Sequence, residues 1–343
     1  MKKTVLILFA LLIVLSASGL AAEKLSVYNW GDYIDMDTIR QFEKETGIDV
    51  IYEVYETNED MYARIANGKA SYDVIFPSDY MVERMIRENR LTEINWDNIP
   101  NVKNIDPRFM SQSYDPENKY SVPYTWGTMG ILYNADMVEE TPTSWETLMD
   151  ERYEDSIYML NSPRDTLGIA LIMCGYDLNS TNPDELEAAK QLLIRQKPLV
   201  QGYVVDEVKD KMIRGEAAVA LVWSGDATYC MPENEDLNYV VPVEGSNIFF
   251  DAVCIPSNAK NVSAAEKFID FLCRPDIAAT NYEYVGYAIP NQAAIELMGE
   301  EEYNESPVNN PPQEILDKCQ VFKYLGEDTK IYDQVWTEFI SDF

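Results

Sequence analysis

The sequence predicts an α/β fold built on parallel strands, and three observations support that prediction. Runs of β-forming residues alternate with amphipathic helical segments between residues 25 and 88. The same alternation returns between residues 157 and 273. Aromatic residues and carboxylates stand close together where several of these strands should end. Such alternation is typical of βαβ units, and open sheets of this kind bind ligands beyond the carboxyl ends of their strands.

In the first region, the spacing of apolar residues separates strands from helices. Ile39 and Phe42 recur at helical spacing, and Gly47 follows them as a stop signal. Asn58 is the predicted cap of the next helix. The predicted elements are strands at 25–29, 48–55 and 73–76, and helices at 35–46, 58–68 and 80–88.

In the second region, proline and capping signals mark the helices. Pro183 stands at a predicted first helical position, and Ser263 with Glu266 has the spacing of a capping box. Residues 163–168 are predicted as a turn, and residues 304–312 as a surface loop before a C-terminal helical stretch. The predicted elements are strands at 157–160, 216–223, 239–243 and 252–255, and helices at 169–173, 184–195 and 263–273.

Four predicted strand ends combine aromatic rings with a carboxylate. A ring face attracts a cation, and a carboxylate fixes that cation by a charge-assisted hydrogen bond. Taken singly, each group also fits ordinary packing at a strand end. One fold can bring all four into one cleft, so the pattern predicts a site for an organic cation. The groups are Trp30 with Asp32 and Tyr33, Tyr80 with Ser78 and Asp79, Trp223 with Asp226, and Phe249 and Phe250 with Asp251.

The N-terminus has the features of a secretory signal peptide. Two lysines precede an apolar run at residues 5–15, and small residues at 16–22 predict cleavage near Ala22. The apolar run is too short to span a membrane comfortably. No cysteine lies near the cleavage site, so a lipid anchor is not expected. The prediction is a signal peptide over residues 1–22 and an exported protein.

Charge excludes some classes of partner. Without the signal peptide the chain holds 25 Lys and Arg (27 minus two) against 59 Asp and Glu, a net charge of about −34. Nucleic acids and anionic membranes need basic patches, so neither is an expected partner. Long-range attraction favours cationic ligands, although acidity also serves solubility in many exported proteins.

The chain has no histidine and five cysteines. The absence of histidine removes Ser–His and Cys–His nucleophilic machinery and the commonest transition-metal ligand. The cysteines form no CxxC pair and match no zinc motif, so no metal, cofactor or disulfide is expected. Cys254 and Cys273 lie in apolar patterns, and we expect them to pack as small hydrophobic residues.

Several segments give the chain a close resemblance to the periplasmic spermidine/putrescine-binding proteins of bacterial ABC transporters. The resemblance runs over nearly all of the mature chain, which makes it far more specific than a short motif. The segments are YNWGDYI at 28–34, FEKETGIDVIYEVYETNEDMYARI at 42–65, YDVIFPSDY at 72–80, YSVPYTWGTMGILYN at 120–134, ALVWSGDA at 220–227, FFDAVCIPSNAKN at 249–261 and GYAIPN at 286–291.

The resemblance implies a type II periplasmic-binding-protein fold. Each of two lobes would have a central, mostly parallel sheet flanked by helices, with the ligand in the cleft between them. The chain would cross between lobes near Gly127 and again near Asp251. The implied function is not catalysis but capture of putrescine or spermidine by a periplasmic monomer that delivers it to membrane permease subunits. Lobe 1 would hold residues 24–127 and 251–295, and lobe 2 residues 128–250 and 296–343.

Carried over position by position, the family's ligand contacts imply a set of site residues. Asp165 stands where the family has a glutamate, and Ser162 where spermidine-type members carry an aspartate. Asp226 and Phe249 match putrescine-type members, whereas Tyr80 is typical of spermidine-type members. Together these features lean slightly to putrescine, with dual binding nearly as favoured. The implied ligand-binding residues are Trp30, Asp32, Tyr33, Ser78, Tyr80, Asp165, Trp223, Asp226, Phe249, Asp251, Tyr287 and Gln320.

Structural roles compete with ligand binding at several of these positions. Tyr33 and Tyr287 could seal the interlobe core, Asp32 could hold a turn, and Gln320 could cap a helix or face solvent. Asp251 is the hardest to explain without a ligand, because a lone aspartate between FF and AV needs a partner if it is buried.

Two other classes of function stay open on the residues alone. An exported hydrolase could use two carboxylates as acid and base, although no hydrolase motif accompanies them. A binding protein of the same fold for a sugar would also use aromatic rings, but a neutral sugar would not need so many acids. One for an amino acid would need an arginine for the ligand carboxylate, and only Arg164 lies beside a proposed contact.

Overall fold

The computed structural model describes residues 23–68 and 70–341, so the predicted signal peptide lies outside the described residues. Eight strands of the described chain are hydrogen-bonded neighbours in the order β2-β1-β3-β9-β4-β7-β5-β6, and a ninth strand, β8, pairs with β4. The strands are β1 (Lys24–Trp30), β2 (Asp49–Tyr55), β3 (Val74–Ile75), β4 (Ser121–Asn134), β5 (Ile157–Leu160), β6 (Val200–Val204), β7 (Val219–Trp223), β8 (Leu237–Val240) and β9 (Ile248–Cys254).

Parallel pairing occupies the two ends of this order, as the strand–helix alternation predicts. β1 pairs in parallel with β2 and β3, and β5 pairs in parallel with β6 and β7. The middle is antiparallel: β9 pairs with β3, and β4 pairs with β7, β8 and β9. The sequence prediction omitted the joining strand β4 and the edge strand β6, and it shortened β9.

β4 is the strand that connects the two halves. Its first part pairs with β9 and its last part with β7 and β8. Close packing along it requires small residues. A Cβ atom added to Gly127 would lie 2.4 Å from Ser224 Oγ, and one added to Gly130 would lie 2.4 Å from the Tyr239 ring. The two glycines therefore let other elements approach this strand closely.

The helices cover the strands on both sides, and none in the described part of the chain is long and apolar enough to cross a membrane. They are α1 (Met36–Thr46), α2 (Asn58–Ala66), α3 (Asp79–Arg87), α4 (Pro163–Met173), α5 (Pro183–Gln196), α6 (Glu207–Ile213), α7 (Ser224–Cys230), α8 (Val262–Leu272), α9 (Pro275–Val285), α10 (Gln292–Met298), α11 (Glu300–Glu305), α12 (Gln313–Leu316) and α13 (Thr329–Ser341).

Two helix signals are confirmed. α1 ends at Gly47, whose φ of 73° is the left-handed conformation that glycine adopts without strain. Pro183 occupies the first position of α5. The predicted turn at 163–168 is wrong, because α4 already begins at Pro163, where a missing backbone N–H costs nothing.

Three further local predictions are wrong. The side chain that caps α2 is Thr57, not Asn58, and it accepts from the Asp60 amide at 3.1 Å. Ser263 lies inside α8 and forms no capping box, because Glu266 instead accepts from the Asn95 amide and from Asn98. The predicted surface loop at 304–312 is partly buried: Val308 and Asn309 are 0% and 4% exposed, respectively.

Separate apolar clusters fill the two halves. In the first, β1, α1 and α8 meet around Phe42 and Phe268, whose ring centroids lie 5.0 Å apart. Cys254 and Cys273 are buried in this half, as predicted. In the second, α4 and α5 pack against α13 through Tyr332 and neighbouring apolar side chains. The site described next lies where β9 and the loops after β1 and β3 meet the β7–α7 connection.

Candidate functional site

Asp251 lies near the middle of β9, and strand alternation determines its neighbours. Phe249 and Asp251 point to one face of the strand, and Phe250 points to the other. Phe250 is 7% exposed and packs in the first half with Tyr114, at a centroid distance of 6.3 Å. Phe249 instead contacts the Tyr287 ring, with centroids 5.9 Å apart. The face that carries Asp251 therefore has aromatic neighbours.

The Asp251 carboxylate is buried among hydroxyl groups. The Tyr33 hydroxyl donates to Asp251 Oδ2 at 2.5 Å, and it lies 2.7 Å from Thr125 Oγ1. Because a phenol has one proton, Thr125 is the donor in the second bond. Thr125 and Asp251 are direct partners across β4 and β9, which explains why both reach Tyr33.

Asp251 has no counter-charge among the residues that the structure describes. Asp251 is 5% exposed, and its Oδ1 has no hydrogen-bond partner. Burial raises the pKa of this carboxyl group to about 6, and the Ser78 and Tyr33 side chains oppose the rise. No lysine or arginine of the described chain stands among these causes. A buried carboxylate with an unused oxygen is the position at which a ligand cation gains most.

Ser78 reaches this carboxylate because the chain after β3 runs beside β9. The backbone of Ser78 forms an isolated antiparallel bridge with Asp251, and the Ala252 amide donates to the Pro77 carbonyl at 3.0 Å. The Asn58 side chain holds this segment: its Nδ2 donates to Ser78 Oγ and to the Tyr80 hydroxyl, both at 3.1 Å. Because Ser78 Oγ accepts from Asn58, its own proton is available to the Asp251 carboxylate, whose rise in pKa Ser78 opposes.

Tyr80 and Asp165 form a second group. Asp165 lies in the first turn of α4 and accepts from Ser162 Oγ at 2.5 Å. Burial raises the pKa of Asp165, and hydrogen bonding from Ser162 and Trp223 opposes that rise. Asp165 in turn contributes to the raised pKa of the Tyr80 phenol, which burial dominates. Trp223, Asp165 and Tyr80 are therefore neighbours, as the resemblance implied for three sites far apart in sequence.

Four aromatic side chains form a continuous series along the site. Trp30 lies 6.5 Å from Tyr33, Tyr33 lies 5.6 Å from Tyr287, and Tyr287 lies 5.9 Å from Phe249, as centroid distances with edge-to-face angles. The Trp30 indole is fixed by a 2.8 Å hydrogen bond to the Phe76 carbonyl. Such a wall suits an aliphatic chain or a cation.

Asp226 joins this series through Tyr287. A Cβ atom added to Gly225 would lie 2.2 Å from the Tyr287 ring, so the start of α7 packs directly on that phenol. Burial raises the pKa of Tyr287, and the carboxylates of Asp226 and Asp251 raise it further. Asp226 also faces a lysine: Lys209 Nζ lies 3.8 Å from its Oδ1. Its charge is therefore already paired within the protein.

Two implied residues have evident structural roles. Asp32 is exposed and adopts a left-handed conformation with a φ of 50°, the kind of turn position that aspartate tolerates. Gln320 accepts from the Leu178 amide at 3.1 Å, while its backbone bonds to Ser246 and Ile248. Gln320 thereby ties the segment after α12 to the start of β9.

A cavity of about 230 Å³ opens beside Tyr80, lined by both acidic and basic side chains. Glu59 on one wall accepts from the Tyr80 hydroxyl at 3.1 Å. Arg164 on another wall lies over the Phe322 and Tyr332 rings, at 4.6 and 4.8 Å from their centroids. Its guanidinium is thus covered by aromatic faces, and its Nη2 donates to Asn179 Oδ1 at 3.1 Å, whereas its buried Nε has no hydrogen-bond partner among the described residues.

The described residues contain no group of three acidic or cysteine side chains arranged to hold a metal ion. Three residues around the site were not predicted from the sequence: Asn58, Thr125 and Lys209. Asn58 and Thr125 are polar residues that are buried, at 4% and 3% exposure, beside strand ends. Their position after or within β-rich runs was the only available signal.

Comparison with known proteins decides the family. A model of the bacterial extracellular solute-binding proteins matches residues 37–311. The chain belongs to this family. The chain is 36% identical over 316 residues to the spermidine/putrescine-binding periplasmic protein of Salmonella typhimurium, covering 92% of this chain and 90% of the relative. It is 32% identical over 348 residues to the putrescine-binding periplasmic protein of Escherichia coli, covering 95% and 93%.

A solved structure agrees with the sequence relatives. A putative spermidine/putrescine ABC transporter protein from Listeria monocytogenes is 42% identical, covers 94% of this chain and 100% of its own, and has a TM-score of 0.88. The predicted two-lobed type II periplasmic-binding-protein fold is confirmed by this similarity. Membership of a solute-binding family also places the protein outside the cytoplasm and favours binding over the hydrolase alternative.

Proposed function

We propose that this protein captures a polyamine in the cleft that contains Asp251 and delivers it to the permease of an ABC transporter. The observation that carries the proposal is the Asp251 carboxylate, buried among aromatic rings, with one unused oxygen and no lysine or arginine of the described residues acting on it. Relatives of the same family that are named for putrescine and spermidine support the choice of ligand class.

The chemistry of the site suits an ammonium-ended aliphatic rod. Asp251 and Asp165 would each receive an ammonium group, and the series from Trp30 to Phe249 would cover methylene groups between or beside them. The Ser78 hydroxyl oxygen would accept a hydrogen bond from the ammonium group at Asp251. A neutral sugar could hydrogen-bond to these carboxylates but would leave their buried charges without a counter-charge.

Delivery requires a change that a permease can detect. With the chain divided near Gly127 and Asp251 into the two lobes given above, the site residues come from both lobes. A ligand held by both lobes binds their closed arrangement best and shifts the population toward it. We infer a periplasmic monomer that presents this closed arrangement to the permease, after removal of a signal peptide near Ala22.

The test is a binding screen on protein that has been unfolded and refolded to remove bound ligand. Putrescine and spermidine at about 100 times their Kd should stabilise the fold by about 2.7 kcal/mol, seen as a rise in Tm. Intrinsic fluorescence should change because Trp30 and Trp223 line the cleft. Glucose and glutamate are the matched controls and should change neither signal. A refolded protein that responds to no polyamine would reject the proposal.

A further inference from the structure

A lysine stands beside one of the carboxylates of the site. Lys209 extends from α6, and its Nζ lies 3.8 Å from Asp226 Oδ1 and 3.2 Å from Asp206 Oδ1. Its side chain is 30% exposed, whereas that of Asp226 is 12% exposed. The helices that carry the pair are in contact, because Cys230 Sγ of α7 lies 3.8 Å from the Lys209 carbonyl.

The electrostatics of the pair agree with this geometry. Burial raises the pKa of Asp226 to about 7, and Lys209 opposes that rise. Burial lowers the pKa of Lys209, but the carboxylates of Asp226 and Asp206 outweigh it, so that the lysine stays protonated. The Lys209 ammonium group therefore already lies beside the Asp226 carboxylate.

We propose that Lys209 determines selectivity by acting as a built-in cation that competes with a ligand ammonium for Asp226. The proposal rests on the proposed polyamine function. With Asp226 paired, the cleft offers two carboxylates that form no ion pair among the described residues, Asp165 and Asp251, although Arg164 opposes the rise in the pKa of Asp165 that burial causes. These two carboxylates match a diamine. A third ammonium, as in spermidine, meets a carboxylate that is already neutralised and a like charge beside it, which is unfavourable.

The experiment compares two lysines of the same helix. Lys211 also lies on α6 with a 30% exposed side chain, but it pairs with Glu216 at 3.6 Å, away from Asp226. Putrescine and spermidine are titrated by calorimetry into wild type, Lys209→Met, Lys211→Met and the double variant Lys209→Met/Asp226→Asn, each checked for a cooperative melt.

We expect Lys209→Met to tighten spermidine binding roughly five- to tenfold and putrescine binding much less. Lys211→Met should change neither, and the double variant should lose the spermidine gain. An unchanged spermidine affinity in Lys209→Met, an equal gain for both ligands, or a gain that persists in the double variant would each overturn the proposal. Binding of neither ligand by wild type and all variants would instead reject the polyamine function itself.

Discussion

Two buried carboxylates of the candidate site, Asp251 and Asp226, are held in different ways. Asp251 has hydroxyl neighbours and no cation, and its pKa is raised to about 6. Asp226 faces Lys209, yet its pKa is raised to about 7, because a lysine 3.8 Å away only partly offsets burial. Asp226 has a permanent counter-ion, whereas Asp251 can gain one only from a ligand. Asp251 is therefore suited to binding a ligand ammonium group, whereas Asp226 with Lys209 is suited to excluding an additional one.

The largest expected effect on polyamine affinity comes from removing the charge of Asp251. Asp251→Asn keeps the volume and the acceptor for Tyr33 but removes the counter-charge of a buried ammonium. Polyamine affinity should fall by about two to three decades, since breaking a buried ion pair costs roughly 3–5 kcal/mol. Asp226→Asn, the matched variant, should weaken putrescine binding by less than about threefold, a small fraction of the cost of breaking a buried pair. Calorimetry on both variants measures the contrast, and similar losses at the two positions would show that Asp226 is not pre-neutralised.

The second prediction concerns the stability of the ligand-free protein. A folded-state pKa of about 6 lies above the value of about 4 that an unfolded aspartate has, so the folded state binds the proton more tightly. The contribution of Asp251 to the free energy of unfolding should therefore fall as pH rises from about 4 to about 6. The Asp251→Asn variant has no buried carboxylate to ionise, so it should be more stable than wild type by about 1–3 kcal/mol at pH 8.

Denaturant unfolding of both proteins at pH 8 and pH 4.5 checks this sign. The advantage of Asp251→Asn should be present above pH 6 and shrink toward pH 4. A variant that is less stable than wild type at pH 8 would mean that the carboxylate contributes to folding rather than to binding. The expected result is a residue that costs stability and supplies affinity, as is common at functional sites.

The sequence predicts most strand–helix units at the two ends of this fold better than the strand β4 that joins them, although it also missed the edge strand β6. α1 was predictable because Ile39, Phe42 and Gly47 give period and stop signal together. β4 was not, because Gly127 and Gly130 read as breaks in a strand. Their lack of a side chain is required by the neighbouring Ser224 and Tyr239, which only the tertiary structure shows.

The candidate site divides in the same way. The pattern of rings and acids at strand ends predicted that Asp251, Tyr33 and Ser78 come together, as the structure shows, but it did not point to Thr125. It could not identify Lys209, because a lysine in the sequence EVKDKMI reads as part of a solvated helix face. The resemblance also implied Asp32 and Gln320, for which structural roles were weighed, and the structure shows that one is an exposed turn residue and that the other bonds a backbone amide. Partners across the fold decide these roles, and spacing along the chain does not show them.

The third prediction tests whether hydroxyl groups hold the Asp251 side of the site. Asn58→Ala removes the donors to Ser78 Oγ and to the Tyr80 hydroxyl. Polyamine affinity should fall roughly tenfold, and the free energy of unfolding should fall by about 1–3 kcal/mol for the lost buried bonds. Thr57→Ala is the control, because it removes the α2 cap at a cost of about 1 kcal/mol and leaves both site bonds intact. Equal affinity losses in the two variants would show that α2 stability, not the placement of Ser78, matters.

The smallest expected effect extends the comparison to the third carboxylate, Asp165. Its hydrogen bond from Ser162 opposes the rise in pKa that burial causes, so Ser162→Ala should raise that pKa further. Polyamine affinity should fall roughly three- to tenfold, for the loss of one hydrogen bond to a charged group, and the deficit should be largest at the acidic end of a pH series. Ser162→Thr keeps the hydroxyl and should bind like wild type. Calorimetry over a pH series from 8.5 downward separates this electrostatic role from packing, because a loss caused by packing would be the same at every pH.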